Sequence, residues 1–412
     1  MGSSVMEISI IRKISLISVF LSLFFFLCFP QITLIGSALY NIFLYLNVLL
    51  AFMLHEKIGL DQVMVRKVHS MFRMFFFLSF LGNIMSILFY DIEFYFVGIK
   101  NIILIVFYGY SFAILACDKK IENIIKKCVY ISSVIVSLYT IYCYVTDSNP
   151  YMLFVASFTN DLDYIETSLA EVRGLKGRVG GHLGNPVFLG GELLVLLGYC
   201  LVDINQKVKI DKGKLCVILM LLISIVLTGS RSALVPAFAL LLFSLYYKYK
   251  FKSLLILSVL VLVIIPFIPN IDDFLSSLDV MSRSEDVVGS SIFMREEQFR
   301  GLQRIVGNNE IFGNGLGWIR HYINLHGLHP VLLGFESLIF SSYTEGGMWG
   351  LFVVYPFLFY SFFKLSRLTQ NYTVLFYLIA YFAYALLTGA FSLKVFIALF
   401  VAILVTTKND YE

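Results

Sequence analysis

Apolar runs long enough to cross a bilayer recur almost from end to end of this chain, and no other feature constrains its fold as strongly. A helix needs roughly 20 mostly apolar residues to span the hydrocarbon layer. About twelve such runs are read, at 14–29, 32–54, 71–90, 94–116, 125–145, 186–202, 214–229, 232–247, 253–268, 336–362, 373–389 and 392–407. Leu, Phe and Ile run all round these stretches without strand alternation, and a helix satisfies its own backbone in lipid, so helices are expected rather than a barrel. Of 412 residues, 59% are hydrophobic and 14% charged, against about 25% charged in an ordinary soluble chain. A soluble globule is excluded. The expected fold class is an all-α polytopic integral membrane protein, residues 1–412 forming a single membrane domain.

Lys and Arg give the orientation, because cytoplasmic loops collect them. With the N-terminus inside, the inner segments hold 20 of the 31 basic residues, so both termini are expected to be cytoplasmic. Of those 20, 16 are Lys; of the 11 at the outer side, 8 are Arg. The positive-inside rule does not produce that split, since either cation satisfies it. Arg presents a planar fork that binds phosphate oxygens bidentately, whereas Lys is a hydrated point charge. Outer arginines that touch lipid headgroups or nearby carboxylates would give the same count.

The basic pair Arg12-Lys13 and the apolar run to Phe29 resemble a signal peptide, but no A-x-A-like cleavage site follows, and a retained first span is expected. The six cysteines fall in or near spans without a C-x-x-C, which suggests neither a disulfide framework nor a zinc site. Two outer segments, 146–185 and 269–335, are too long for simple turns, and loops of that size are usually functional.

The first outer loop ends in RGLKGRVGGHLGNPVFLGG, residues 173–191, where Arg173, Lys176, Arg178 and His182 are interleaved with glycine. Asn185 suits an N-cap and Pro186 a first helical residue, so a helix N-terminus with free N–H groups is expected beside these cations. Such a constellation suits a phosphate or pyrophosphate, although a flexible glycine-rich connection explains it too. In LTGSRSALVP, 227–236, Arg231 lies at the apex of a tight turn between two apolar helices, with Ser230 or Ser232 available as a cap. A charge in such a place either is solvated and partnered or snorkels to headgroups.

Within the second loop, residues 291–306 read as an amphipathic helix on the outer leaflet. Ile292, Phe293, Phe299, Leu302 and Ile305 take one side, and Arg300 and Arg304 share another. In GFESLIFSSYTEGGMWGLFVVYPFLFY, 334–360, Glu336 begins a span and Glu345 follows within it. Nine residues put the two carboxylates on opposite faces, about 13.5 Å apart along an ideal helix, unless Gly346-Gly347 or an earlier break bends the chain. His321, His326 and His329 are not spaced for one helical face, and no metal is expected there. No P-loop, dinucleotide fingerprint, nucleophile elbow or nucleic-acid patch is present.

Four stretches in this order, RVGGHLGNP, SRSAL after an apolar helix, the R-x-x-x-F segment at Arg295 followed by IFGNGLG, and ESLIFSSYTEGGMWGL, resemble the O-antigen polymerase and O-antigen ligase superfamily of bacterial surface-polysaccharide assembly. The resemblance covers about 178–355. It implies a membrane glycosyltransferase of GT-C-like architecture with two long outer loops, in the bacterial cytoplasmic membrane with its active site outside. The donor it implies is an undecaprenyl-diphosphate-linked oligosaccharide, with neither metal nor other cofactor, because diphosphate is already an activated leaving group. On this chain it makes Arg178, Arg231 and Arg295 the diphosphate ligands and Glu336 the base. Arg173, Lys176, His182, Asn185, Arg300, Arg304 and Glu345 become possible glycan or lipid contacts. Ligases of the superfamily typically carry His where Glu336 stands, so this chain leans toward a repeat-unit polymerase. A chain-length regulator, a flippase and membrane lipids are the implied partners, and nucleic acid is not. The rival readings are a ligase moving finished glycan to a lipid or wall acceptor, and a flippase or transporter of lipid-linked sugars. Transporters often show paired halves with broken helices and polar sites near the midplane, and no repeat is visible here.

Overall fold

In the computed structural model the described residues are 2–30, 38–58, 63–87, 92–159, 172–173, 176–206, 211–250, 252, 292–307, 309–327, 332, 335, 337–388 and 393–408. Among them the chain is helical apart from a two-residue antiparallel pairing, Val172–Arg173 with Lys176–Gly177. The first six helices are α1 (Gly2–Cys28), α2 (Ala38–Ile58), α3 (Val63–Ile87), α4 (Ile92–Leu115), α5 (Lys119–Thr146) and α6 (Pro150–Thr159). Next come α7 (Pro186–Asn205), α8 (Lys212–Leu227) and α9 (Arg231–Tyr249). After them stand α10 (Ile292–Val306), α11 (Trp318–His326), α12 (Leu338–Trp349), α13 (Tyr355–Leu368), α14 (Tyr372–Thr388) and α15 (Leu393–Lys408).

Six helical stretches among these residues are long and apolar enough to cross a membrane: Ile8–Cys28, Gly98–Leu115, α5, α7, α9 and Leu338–Leu368. Asn41–His55, α14 and Leu393–Thr407 are apolar but shorter. Helices therefore stand on every expected run except 253–268, which lies outside the described residues. The expected loop 146–185 contains a helix of its own, α6. Its start repeats the Asn-Pro signature of α7, with Asn149 Oδ1 accepting from Met152 N at 3.2 Å.

The bundle is organised around α7, of which 89% is buried against 28–56% for the other five spanning candidates. Tyr377 and Tyr384 of α14 donate to the α7 carbonyls of Val195 and Val187, each at 3.0 Å. Behind them Tyr381 and Phe396 stack with ring centroids 3.6 Å apart, joining α14 to α15. Outward-facing positions such as Phe52, Leu138, Val145, Val235 and Phe352 are exposed and apolar, as a lipid-facing surface requires.

One end of the bundle is tied by the lysine-rich connections. Asp203, its side chain 2% exposed, accepts from Lys214 and from Tyr130 at 3.0 Å and pairs with Lys126 at 3.5 Å. Lys248 donates to the Ile204 carbonyl at 3.1 Å, Asn205 to Thr373 at 2.8 Å and Gln206 to Thr407 at 2.7 Å. Five helices thus close on the C-terminal turn of α7.

Near the opposite end of α12, the helix breaks. Gly347 has φ 59° and ψ −155°, a region glycine alone enters cheaply, and Gly350–Val354 continues as a π-helical turn into α13. The interruption frees backbone groups, and residues 310–315 fill them. Asn314 N and Gly315 N donate to Thr344 O and Glu345 O, both at 2.9 Å. Met348 N and Trp349 N donate to Glu310 O at 2.7 Å and Ile311 O at 2.9 Å. The break follows Glu345 rather than preceding it, so it does not bring that carboxylate toward position 336.

Candidate active site at the arginine end

The glycine-rich segment and the TGSR turn, separated in sequence by about fifty residues, meet directly. Val179 N donates to Leu227 O at 3.4 Å, and Arg178 Nε donates to Thr228 O at 3.2 Å with its chain lying across Gly229. Thr228 caps the C-terminus of α8, and Arg231 is the first residue of α9, so Arg178 is fastened onto the turn that presents Arg231. Both arginines are half-buried.

The α9 start is drawn close to α7. A Cβ on Gly190 would lie 2.8 Å from Ala233 Cβ and 3.1 Å from Ser230 Cβ, so only glycine allows this approach. Ser230 occupies the N-cap position of α9 but makes no capping bond; its hydroxyl lies 3.1 Å from that of Ser232. Thr388 at the end of α14 donates to Ser232 Oγ at 2.9 Å. Two residues earlier on α14, Leu386 O accepts from Ser337 Oγ at 2.7 Å, and Ser337 also caps α12 through Ile339 N at 3.1 Å. Ser337 follows Glu336 in sequence; Glu336 itself lies outside the described residues.

Asn185 does cap α7, as its sequence position predicts, but with a consequence the expectation lacked. Its Oδ1 accepts from Val187 N at 2.8 Å and Phe188 N at 3.2 Å, so those two N–H groups are already taken and are not free to bind an anion. His182 is not a surface contact. It is 3% exposed in the turn Gly181–Leu183, with Nε2 3.0 Å from Glu192 Oε2, and Glu192 is fully buried. The pair joins the Arg178 segment to α7, and Asn149 adds a bond to Gly181 O at 2.6 Å. Sequence reasoning missed Glu192, whose signal was available as the single charge in an otherwise apolar run, 186–202.

The amphipathic helix forms over Ile292–Val306, and its buried side takes in part of the expected one. Gln298, Leu302 and Val306 are buried, whereas Phe299 is exposed. Leu302 and Ile305 of the expected side pack against the cluster of Phe335, Phe340 and Tyr343, which covers Val306 as well and leaves Phe299 out. Arg300 and Arg304 are exposed, and Arg300 pairs with Glu296 at 2.6 Å. Arg295 stands in the first turn of this helix; its side chain lies outside the described residues, as do those of Arg173 and Lys176.

Glu345 acts on backbone. Its Oε1 accepts from Gly317 N at 2.9 Å and Ile319 N at 3.2 Å, which caps α11 from another helix. Asn83 Oδ1 accepts from Leu316 N at 2.9 Å, and Trp349 donates to Leu78 O at 3.0 Å, so the GNGLG segment is locked between α3 and α12. Phe335, just before Glu336, is buried at φ 61°. A bulky residue held there is backbone strain, of the kind that clusters at functional sites.

No metal-holding group of three His, Cys, Asp or Glu residues occurs among the described residues. No family model matches the chain, and no curated protein matches it.

Proposed function

We propose that this protein polymerises undecaprenyl-diphosphate-linked oligosaccharide repeat units at the outer face of the bacterial cytoplasmic membrane, with both termini inside and about twelve spans. The observation that carries this reading is the seating of Arg178 on the Thr228–Gly229 turn beside Arg231. Two arginines from distant parts of the sequence thereby share one helix start, Arg178 fastened onto the turn and Arg231 its first helical residue, an arrangement that suits a grip on a diphosphate. The hydroxyl chain from Ser232 through Thr388, with α14 leading on to Ser337, brings the residue after Glu336 to the same end.

In this reading Arg178, Arg231 and Arg295 hold the donor diphosphate and stabilise the charge that grows on it as the glycosidic bond breaks. Glu336 takes the proton of the acceptor hydroxyl as that oxygen attacks the sugar carbon, which inverts the anomeric centre. Glu rather than His at position 336 favours polymerase over ligase. The test is ladder length in cells carrying Glu336→Gln or Arg231→Ala. Short or absent ladders at normal protein abundance are expected, and normal ladders would overturn the assignment. Purified protein given one lipid-linked repeat unit separates the two transferases, since a polymerase elongates it with no other acceptor.

The break in α12 favours a second reading, transport of a lipid-linked sugar, because transporters bind cargo at unwound helices. Here the freed backbone groups are filled by residues 310–315 rather than left open to a ligand, and glycosyl transfer remains the better account.

A further inference from the structure

Next to the arginine end, α4, α11 and α12 enclose an open groove of about 380 Å3. That volume lies in the lower part of the range for small-molecule sites. Its polar lining is Asn101, Arg320, Asn324, Ser341 and Glu345. The apolar part is Ile319, Ile323 and Phe335. A deeper cavity of about 140 Å3 shares Asn101, Gly317 and Glu345 with it and reaches Trp349 and Tyr355.

We propose that this groove binds the saccharide of the growing chain. The inference rests on the polymerase reading for the origin of the glycan, but its chemistry comes from the lining. Arg320 is the one cation in the lining, short of the several guanidinium groups proposed to grip the diphosphate. Five polar side chains are too many for a lipid tail. Two carboxamides, a hydroxyl, a guanidinium and a carboxylate offer donors and acceptors together, which is what a neutral polyhydroxyl needs. The Ile and Phe surfaces suit the C–H faces of a sugar ring.

The groove is also rigid where it needs to be. Glu345 fixes the start of α11 through Oε1, with both of those bonds ending on that one oxygen, and Asn83 fixes the adjoining Leu316. Its position suits an acceptor. One short stretch, 335–341, gives Phe335 and Ser341 to the groove and Ser337 to the bond with Leu386 of α14, whose Thr388 bonds Ser232 beside Arg231.

The protein has two tryptophans, Trp318 on α11 and Trp349 in the deeper cavity, and both report on this place. The experiment titrates the full-length protein in lipid nanodiscs with the repeat oligosaccharide released from the host cell's own polysaccharide, free of lipid and diphosphate. A saturable change in tryptophan emission is expected. Asn324→Ala combined with Arg320→Ala, both at exposed positions, should weaken binding tenfold or more, and Ser341→Trp should block it. Absence of a saturable change, equal affinity in the groove variants, or displacement of the glycan by inorganic diphosphate would each overturn the proposal. Elongation by a protein whose groove ignores the glycan removes the groove alone. Glycan binding by a protein that never elongates removes the polymerase reading and leaves the groove.

Discussion

At the lysine-rich end of the bundle, a single carboxylate, Asp203, gathers Lys126, Lys214 and Tyr130 and draws α5, α7 and α8 together. At the arginine end, Arg178 meets the carbonyl of Thr228, a neutral oxygen that fixes where the side chain lies. The first arrangement joins opposite charges to one another, while the second places guanidinium groups on turns. Charge at the first end is an internal fastening; at the second, on the proposed reading, it is a positioned reagent. Substitutions at the two ends should fail in different ways.

The largest effect is expected from Asp203→Ala, which leaves two ammonium groups beside a buried gap. Breaking a buried pair costs about 3–5 kcal/mol, to be read as a lower unfolding midpoint in detergent, with elongation per folded molecule retained. Arg231→Ala should show the converse. Loss of one charge-stabilising donor lowers the rate about 100-fold or more, while the unfolding midpoint stays near that of the parent; an equal fall in both would erase the distinction between the two ends. Next in size comes Gly347→Ala, where a Cβ would stand 2.5 Å from Gly313 N at φ 59°. Backbone strain of this type costs about 1–3 kcal/mol, and proteolysis within 310–317 should become faster. Smallest of all is Arg300→Ala. The Arg300–Glu296 pair is exposed on both sides, exposed i,i+4 pairs contribute about 0.3–0.5 kcal/mol, and no change in elongation is expected.

Much of this division is legible in the amino-acid sequence. The Lys and Arg counts separate the two ends, and Asn185-Pro186 marks the start of α7 because capping is a local property of a few residues. Asn149-Pro150 carries the same signal for α6. The amphipathic helix is legible in its limits and in part of its face: Leu302 and Ile305 are covered as periodicity predicts, while the neighbours Phe335, Phe340 and Tyr343 extend the covered row to Val306 and leave Phe299 exposed. The His182–Glu192 pair is hidden because Gly181, at φ 52°, turns the chain back across ten residues, and no helical or strand spacing describes that path. Likewise, Gly346-Gly347 announces a weak point in α12, but the segment that repairs it lies over thirty residues upstream.

That repair has a consequence for biogenesis. Residues 310–315 are made before α12, and the carbonyls of Thr344 and Glu345 and the amides of Met348 and Trp349 bond to them. Released into lipid before that segment is in place, the same four groups would pair with one another, Met348 N with Thr344 O and Trp349 N with Glu345 O, as one unbroken helix. Synthesis order and assembly order run the same way here. The segment that opens the helix is thus on hand as the helix forms, and a chain shortened between 309 and 317 should close α12 into a continuous helix, to be read as slower amide exchange at Met348 and Trp349.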